Sequence, residues 1–154
     1  MRQVFVFEKV AVIVGPWNEP AEPPERGARV EVRLLADEPA RGSQFAAERV
    51  VIDTPVFRAD LFDQVNAPPG NLRSAHFHPY FDGIEPCDRH WRPVIKQDPI
   101  RWLEGELGDL RALLARGRVD VAQAPWVDDD AAALREAIPI VTAAVERAWD
   151  TVRV

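Results

Sequence analysis

A chain of 154 residues with a formal charge of −6 and a sequence pI near 5.1 is the length of one ordinary domain. Its overall field repels phosphate backbones and anionic lipid headgroups, so nucleic acid and membrane surfaces are not its expected partners. At 47% hydrophobic and 29% charged residues the composition is that of a packed globular chain, and a single cysteine excludes an internal disulfide.

The apolar start carries Glu8 and Lys9, has no basic leader and is too short to span a bilayer, which makes the cytoplasm the expected compartment. From Gln3 to Val14 the residues are mostly β-branched or aromatic and predict one long strand or a tight strand pair that stops at Gly15 and Pro16. The proline-rich run "PWNEPAEPPERG", residues 16 to 27, predicts a loop. Val30, Val32 and Leu34 then alternate with Glu31 and Arg33, the period of a strand with one polar face. "ERVVID" begins another strand, Pro55 marks a bend or an edge, and "VFRADLF" resumes the extended pattern. After the turn-forming "NAPPGN", the run "LRSAHFH" predicts a further strand.

The second half changes period. Asp98 and Pro99 form a helix start, and Ile100, Leu103, Leu107, Leu110 and Leu114 follow at helical spacing, predicting a helix over about 99–116 that ends at Gly117. A second helix over about 129–152 begins in the acidic run Asp128 to Asp130, whose charges suit a helix N-terminus, and Pro139 is expected to kink or split it. Strands first and helices last, without βαβ alternation, predict an α+β fold. The expected architecture is an antiparallel, curved sheet from about residues 3–80 covered by the two helices. It forms a single domain over 1–154, with a β-rich part at 1–80, an irregular site-bearing segment at 79–97 and a helical part at 98–152.

All three histidines and the only cysteine fall within residues 76 to 90, together with three carboxylates. Residues two apart on a strand share a face, so His76 and His78 point one way and Ala75 and Phe77 the other. The same rule places Arg58 and Asp60 opposite Phe57, Ala59 and Leu61. If the two strands pair as a hairpin through the loop from Asp63 to Asn71, aligned apolar faces bring Arg58, Asp60, His76 and His78 together. Two imidazoles and a carboxylate can fill three positions around one divalent ion, zinc, iron, manganese or nickel, leaving others for water or substrate. The metal-ligand candidates are His76 and His78, with Asp60, Asp82, Glu85 or His90 as the third. Without a metal, His76, His78, His90, Arg58 and Asp60 are the candidates for acid–base chemistry on a small ligand.

The spacing of "GNLRSAHFHPYFD", a glycine, five residues, His-x-His, three residues and a carboxylate, resembles the first metal motif of cupins, small β-barrels that hold a metal through two histidines, a glutamate and a later histidine. The resemblance covers residues 70 to 82. It implies a metal held by His76, His78 and Asp82, although Asp82 stands where a glutamate is usual, Arg89 stands where the motif closes with glycine, and the family's second motif is absent.

Cys87 near Arg89 and His90 raises a nucleophilic thiol as a further possibility. Arg58, Arg73, Arg89, Arg92 and Arg101 offer guanidinium forks for a carboxylate or phosphate, or ion pairs with Asp60, Asp82, Glu85, Asp88 and Asp98. The tryptophans Trp17, Trp91, Trp102 and Trp126 sit where a ring can wall a pocket or close the core edge. No phosphate-binding loop, dinucleotide fingerprint, serine-hydrolase elbow or paired-cysteine metal motif is present. Two functions follow. One is an enzyme acting on a small polar or anionic substrate through the histidine and carboxylate cluster. The other is a non-catalytic binding or accessory protein that uses the loop around Trp17, with a purely structural histidine cluster. Homo-oligomer formation is compatible with both.

Overall fold

The computed structural model describes residues 1–153: a five-stranded antiparallel sheet from the N-terminal half, with helices in the C-terminal half. The apolar N-terminal run is a tight strand pair, β1 (Gln3–Val6) and β2 (Val10–Glu19), closed by the Phe7 amide donating to the Val10 carbonyl at 2.8 Å. β2 does not stop at Gly15 and Pro16. It continues to Glu19, paired throughout with β3 (Glu25–Leu35). Pairing with β1 ends at Val14, so Pro16 lies where β2 has a free edge toward which its missing donor can turn. The loop expected over 16–27 shrinks to the connection between Glu19 and Glu25.

β4 (Ile52–Gln64) begins later than "ERVVID" suggests and crosses Pro55, where the β3–β4 register shifts around Arg33. β5 is short (His76–His78) and completes the order β1-β2-β3-β4-β5, an unclosed sheet. A small separate hairpin of β6 (Phe81–Asp82) and β7 (Glu85–Pro86) follows.

The segment expected to be irregular over 79–97 ends in a short helix, α1 (Pro93–Gln97), and the helix expected over 99–116 is two in sequence: α2 (Pro99–Gly108) and α3 (Leu110–Arg116). Asp98 caps α2 as its sequence position suggests, accepting from the Arg101 amide at 3.1 Å. The break comes at Asp109, whose side chain accepts from the Ala112 amide at 3.1 Å and restarts the chain as α3. After a 3-10 turn at Val121–Gln123, α4 (Val127–Val152) runs as one helix through Pro139. Pro139 does not split it.

Each long strand has two chemically distinct faces. Val12, Val14, Val30, Val32, Phe57, Ala59 and Leu61 turn toward the helices and are buried against Leu103, Leu107, Leu134, Val141 and Val145. Removing the valine, leucine and phenylalanine side chains among them from water contributes about 1.5–3 kcal/mol apiece, which outweighs the modest helix propensity of any one segment. The opposite face carries Arg29, Glu31, Arg33, Arg58 and Asp60.

The acidic start of α4 departs from the expectation of simple capping. Trp126 occupies the cap position without a side-chain bond, while Asp130 is buried and accepts from the amides of Glu8 and Lys9, each at 2.9 Å. That carboxylate ties the β1–β2 turn to α4. Asp130→Ala would leave two turn amides without their acceptor, and we expect it to destabilise the protein by about 1–3 kcal/mol. The check is a lower urea midpoint at unchanged m-value.

Candidate metal centre

The centre is set by the register between β4 and β5, which a fastened loop determines. Asp63, at the end of β4, accepts from the amides of Gly70 at 2.7 Å and Leu72 at 2.8 Å, and its carboxylate also binds Arg153. Asn71 bonds back to the amide and carbonyl of Gln64. Gly70, at φ 85°, supplies the left-handed turn this path requires. The chain returns with Arg58 opposite His78 and Asp60 opposite His76, the pairing expected from matching the apolar faces.

Registers in the remaining strands extend these pairs into two rows across the polar face. One runs Ile13, Glu31, Arg58, His78; the other runs Gly15, Arg29, Asp60, His76. In the second row the Arg29 fork grips Asp60, with Nε 2.6 Å from Oδ1 and Nη2 3.2 Å from Oδ2. Oδ2 also faces Nε2 of His76 at 3.3 Å and Nε2 of His78 at 3.6 Å. One ligand atom from each of Asp60, His76 and His78 lies within 4.8 Å of the others.

The other ring nitrogens decide what that convergence means. His76 Nδ1 lies 2.6 Å from the Ser74 carbonyl oxygen and His78 Nδ1 lies 2.6 Å from the Cys87 carbonyl oxygen. A carbonyl only accepts, so both Nδ1 atoms carry hydrogen and donate. In the neutral rings both Nε2 lone pairs then aim at a carboxylate oxygen. Three acceptors facing one another require a shared cation, either a metal ion or the extra proton of an imidazolium. Ligands about 2.1 Å from one ion sit roughly 3.0–3.4 Å apart in octahedral or tetrahedral geometry; the 3.3 Å separation at His76 falls inside that range and the 3.6 Å separation at His78 just outside it.

Burial sharpens the argument. Asp60 and His76 are each 1% exposed and His78 6%. Burial pushes the Asp60 carboxyl pKa upward, but the neighbouring His76, His78 and Arg29 outweigh it and hold the group ionised, far below the usual carboxylate range. The covering comes from the segment after β5. His90 forms a single bridge with Phe77, their amides and carbonyls exchanging bonds at 2.8 and 3.0 Å, and the Trp91 ring lies 5.3 Å from that of His76. The histidines therefore sit under protein and not on an open sheet surface.

The sequence candidates divide accordingly. Arg58, Asp60, His76 and His78 come together, whereas Asp82 and Glu85 are exposed on the β6–β7 hairpin, outside the cluster. Their nearness to the histidines is nearness along the chain only, because the β6–β7 turn directs them to solvent. Of the residues in the cupin-like spacing, the two imidazoles lie in the cluster and Asp82 does not, and the sheet around them is not a closed barrel. His90 is exposed, its ring against Phe77. Cys87 contributes its carbonyl to His78 and not its thiol. Among the arginines named from sequence, Arg89 pairs with Glu25, and Arg58 pairs with Glu31 instead of Asp60. Arg29, which holds Asp60, lies on a strand that the sequence pattern reveals, but only the β3–β4 register identifies its partner. No protein-family model matches the chain, and comparisons with curated proteins and with solved structures also return no match.

Glu31, in the neighbouring row, balances two cations. Its Oε2 lies 2.7 Å from Arg33 Nη2 and its Oε1 lies 2.7 Å from Arg58 Nη2. Burial raises its pKa, but Arg33 and Arg58 outweigh burial and hold it below the ordinary 4.5. A depressed folded-state pKa gives stability that is present above 4.5 and lost as pH falls through the folded value. Glu31→Gln is therefore expected to cost about 1–3 kcal/mol near neutral pH. Denaturant titrations of both proteins should show the gap closing as the buffer becomes more acidic than the ordinary glutamate pKa.

Proposed function

We propose that the protein is an enzyme that acts on a small anionic substrate, with Asp60, His76 and His78 holding one divalent transition metal, zinc, iron, manganese or nickel. The observation that carries this reading is the fixed orientation of both imidazoles: main-chain carbonyls take the two Nδ1 protons, and both Nε2 atoms meet the same carboxylate oxygen. Such a metal would supply Lewis-acid polarisation of a bound oxygen and open positions for water or substrate.

The chain's own groups have separable roles. Asp60 supplies the negative charge, and Arg29 holds its carboxylate plane while taking up charge that burial would otherwise leave uncompensated. The Ser74 and Cys87 carbonyls fix the ring tautomers. Trp91 limits water at His76. Arg58, directly opposite His78 in register, is placed to orient an oxyanion beside the centre.

Arg29 also favours a second, metal-free reading, since a guanidinium already neutralises Asp60 and a divalent ion would add positive charge nearby. In that reading an imidazolium donates to Oδ2 and the pair performs acid–base work. The binding-protein alternative finds less support: Trp17 is partly buried beneath Arg29, at 3.9 Å, and its Nε1 donates to Glu19, so it does not head an exposed apolar patch.

Elemental analysis of protein purified without chelators or a metal-affinity tag tests the metal reading. Near-stoichiometric transition metal is expected in the wild type and its loss in a folded His76→Ala/His78→Ala variant. Thermal melts of chelator-treated wild type should show a higher midpoint when the metal is restored. Metal-free protein from several growth media, with no such shift, would overturn the metal centre and leave the imidazolium reading.

A further inference from the structure

The polar face of the sheet holds a cavity of about 370 Å³ whose wall carries the guanidiniums of Arg2, Arg29, Arg33 and Arg58 against one carboxylate, Glu31. That concentration of positive charge is unexpected in a chain with a net charge of −6. The volume falls in the range of small-molecule sites.

The arginines are only partly committed to protein partners. Arg29 gives Nε and Nη2 to Asp60, with Nη2 also 3.6 Å from Glu19, and Arg58 gives Nε and Nη2 to Glu31, so each retains an Nη1 without a protein acceptor among the described residues. Arg33 gives Nε and Nη2 to Glu31 and reaches a carbonyl with Nη1 only at 3.4 Å. Arg2 makes no ion pair among the described residues, and its guanidinium lies 5.8 Å from the Trp17 ring. Trp17 is thus flanked by two guanidiniums, with Arg29 at 3.9 Å, and holds them toward the same space. Ile13, Pro16 and Ile52 supply an apolar wall.

We propose that this cavity binds a small organic oxyanion, a carboxylate or phosphate carried on an apolar body. Arg2 and the remaining Nη1 edges take the charged end, and Ile13 and Ile52 take the apolar end. The bound molecule being a substrate rests on the catalytic reading of the Asp60 centre, which Arg29 and Arg58 place beside the cavity; the binding itself does not.

The test is calorimetric titration of chelator-treated, metal-free protein at low salt with phenylacetate and with phenyl phosphate, and with neutral phenylacetamide as control. Saturable one-to-one binding of at least one anion is expected, weakened by added salt and absent with the amide. Arg2→Gln should weaken it about tenfold, and Arg2→Gln/Arg33→Gln further, in proteins whose circular dichroism and metal content match the wild type. Which anion binds more tightly identifies the oxyanion. Failure of both anions to saturate, equal binding of the amide, or unchanged affinity in the folded double variant would overturn the site. Because binding is read without metal and metal content is read separately, a failure here leaves the Asp60 centre standing, and a metal-free centre leaves this cavity standing.

Discussion

A carboxylate that is 1% exposed cannot remain ionised without compensation, and in this protein the compensation for Asp60 comes from Arg29 in the adjacent strand. The pair is directly cross-strand, so it exists only in one β3–β4 register. A slip of one residue would carry Arg29 to the core face and leave a buried anion alone, at a cost far above that of a misplaced apolar side chain. The same register aligns Val30 with Ala59 and Val32 with Phe57 on the core face. Electrostatics and packing therefore select the same pairing, and that agreement gives the sheet one arrangement.

The histidines inherit their position from that choice. Once β4 is fixed, the loop held by Asp63 and Asn71 returns β5 with His76 beside Asp60, and the following segment closes over the rings through the Phe77–His90 bridge and the Cys87 carbonyl. A solvated histidine cluster needs none of this cover. Main-chain acceptors on both Nδ1 atoms narrow the histidines to one orientation in which both Nε2 atoms face the carboxylate, a degree of preorganisation that a purely packing role for the rings leaves unexplained.

Much of this was legible in local pattern and the rest was not, for a physical reason. Alternation in "VFRADLF" and "HFH" reports which residues share a face, and the hairpin follows from aligning two such faces; that is how Arg58, Asp60, His76 and His78 emerge from sequence. The fold class follows from strands preceding helices. What local pattern does not carry is register between distant strands, so Arg29 and Glu31 read as ordinary residues of a polar strand face until β3 is laid beside β4. The same limit hid Asp130, which lies more than a hundred residues from the turn it binds. Local chemistry also misleads where two signals compete. Pro16 argued for a loop but sits at a free edge, and the leucine period through residues 103–114 argued for one helix while Asp109 supplies a new cap in the middle of it.

Glycine completes the account, because the polar face is shaped as much by missing side chains as by charged ones. Gly27 sits beside Phe62, where an added Cβ would come within 2.2 Å of the Leu61 carbonyl oxygen, so any larger residue would push β3 and β4 apart in the row next to Arg29 and Asp60. Gly15 occupies the position before Arg29 in its row, and a Cβ there would come within 2.8 Å of the Arg2 side chain. The space between Arg2 and Arg29 is therefore the space Gly15 leaves open. In this β-branched sheet, glycine forfeits local β propensity at both positions. Gly27 permits the close strand approach on which the buried pair depends, and Gly15 keeps the cationic cavity next to that pair from being filled by its own wall.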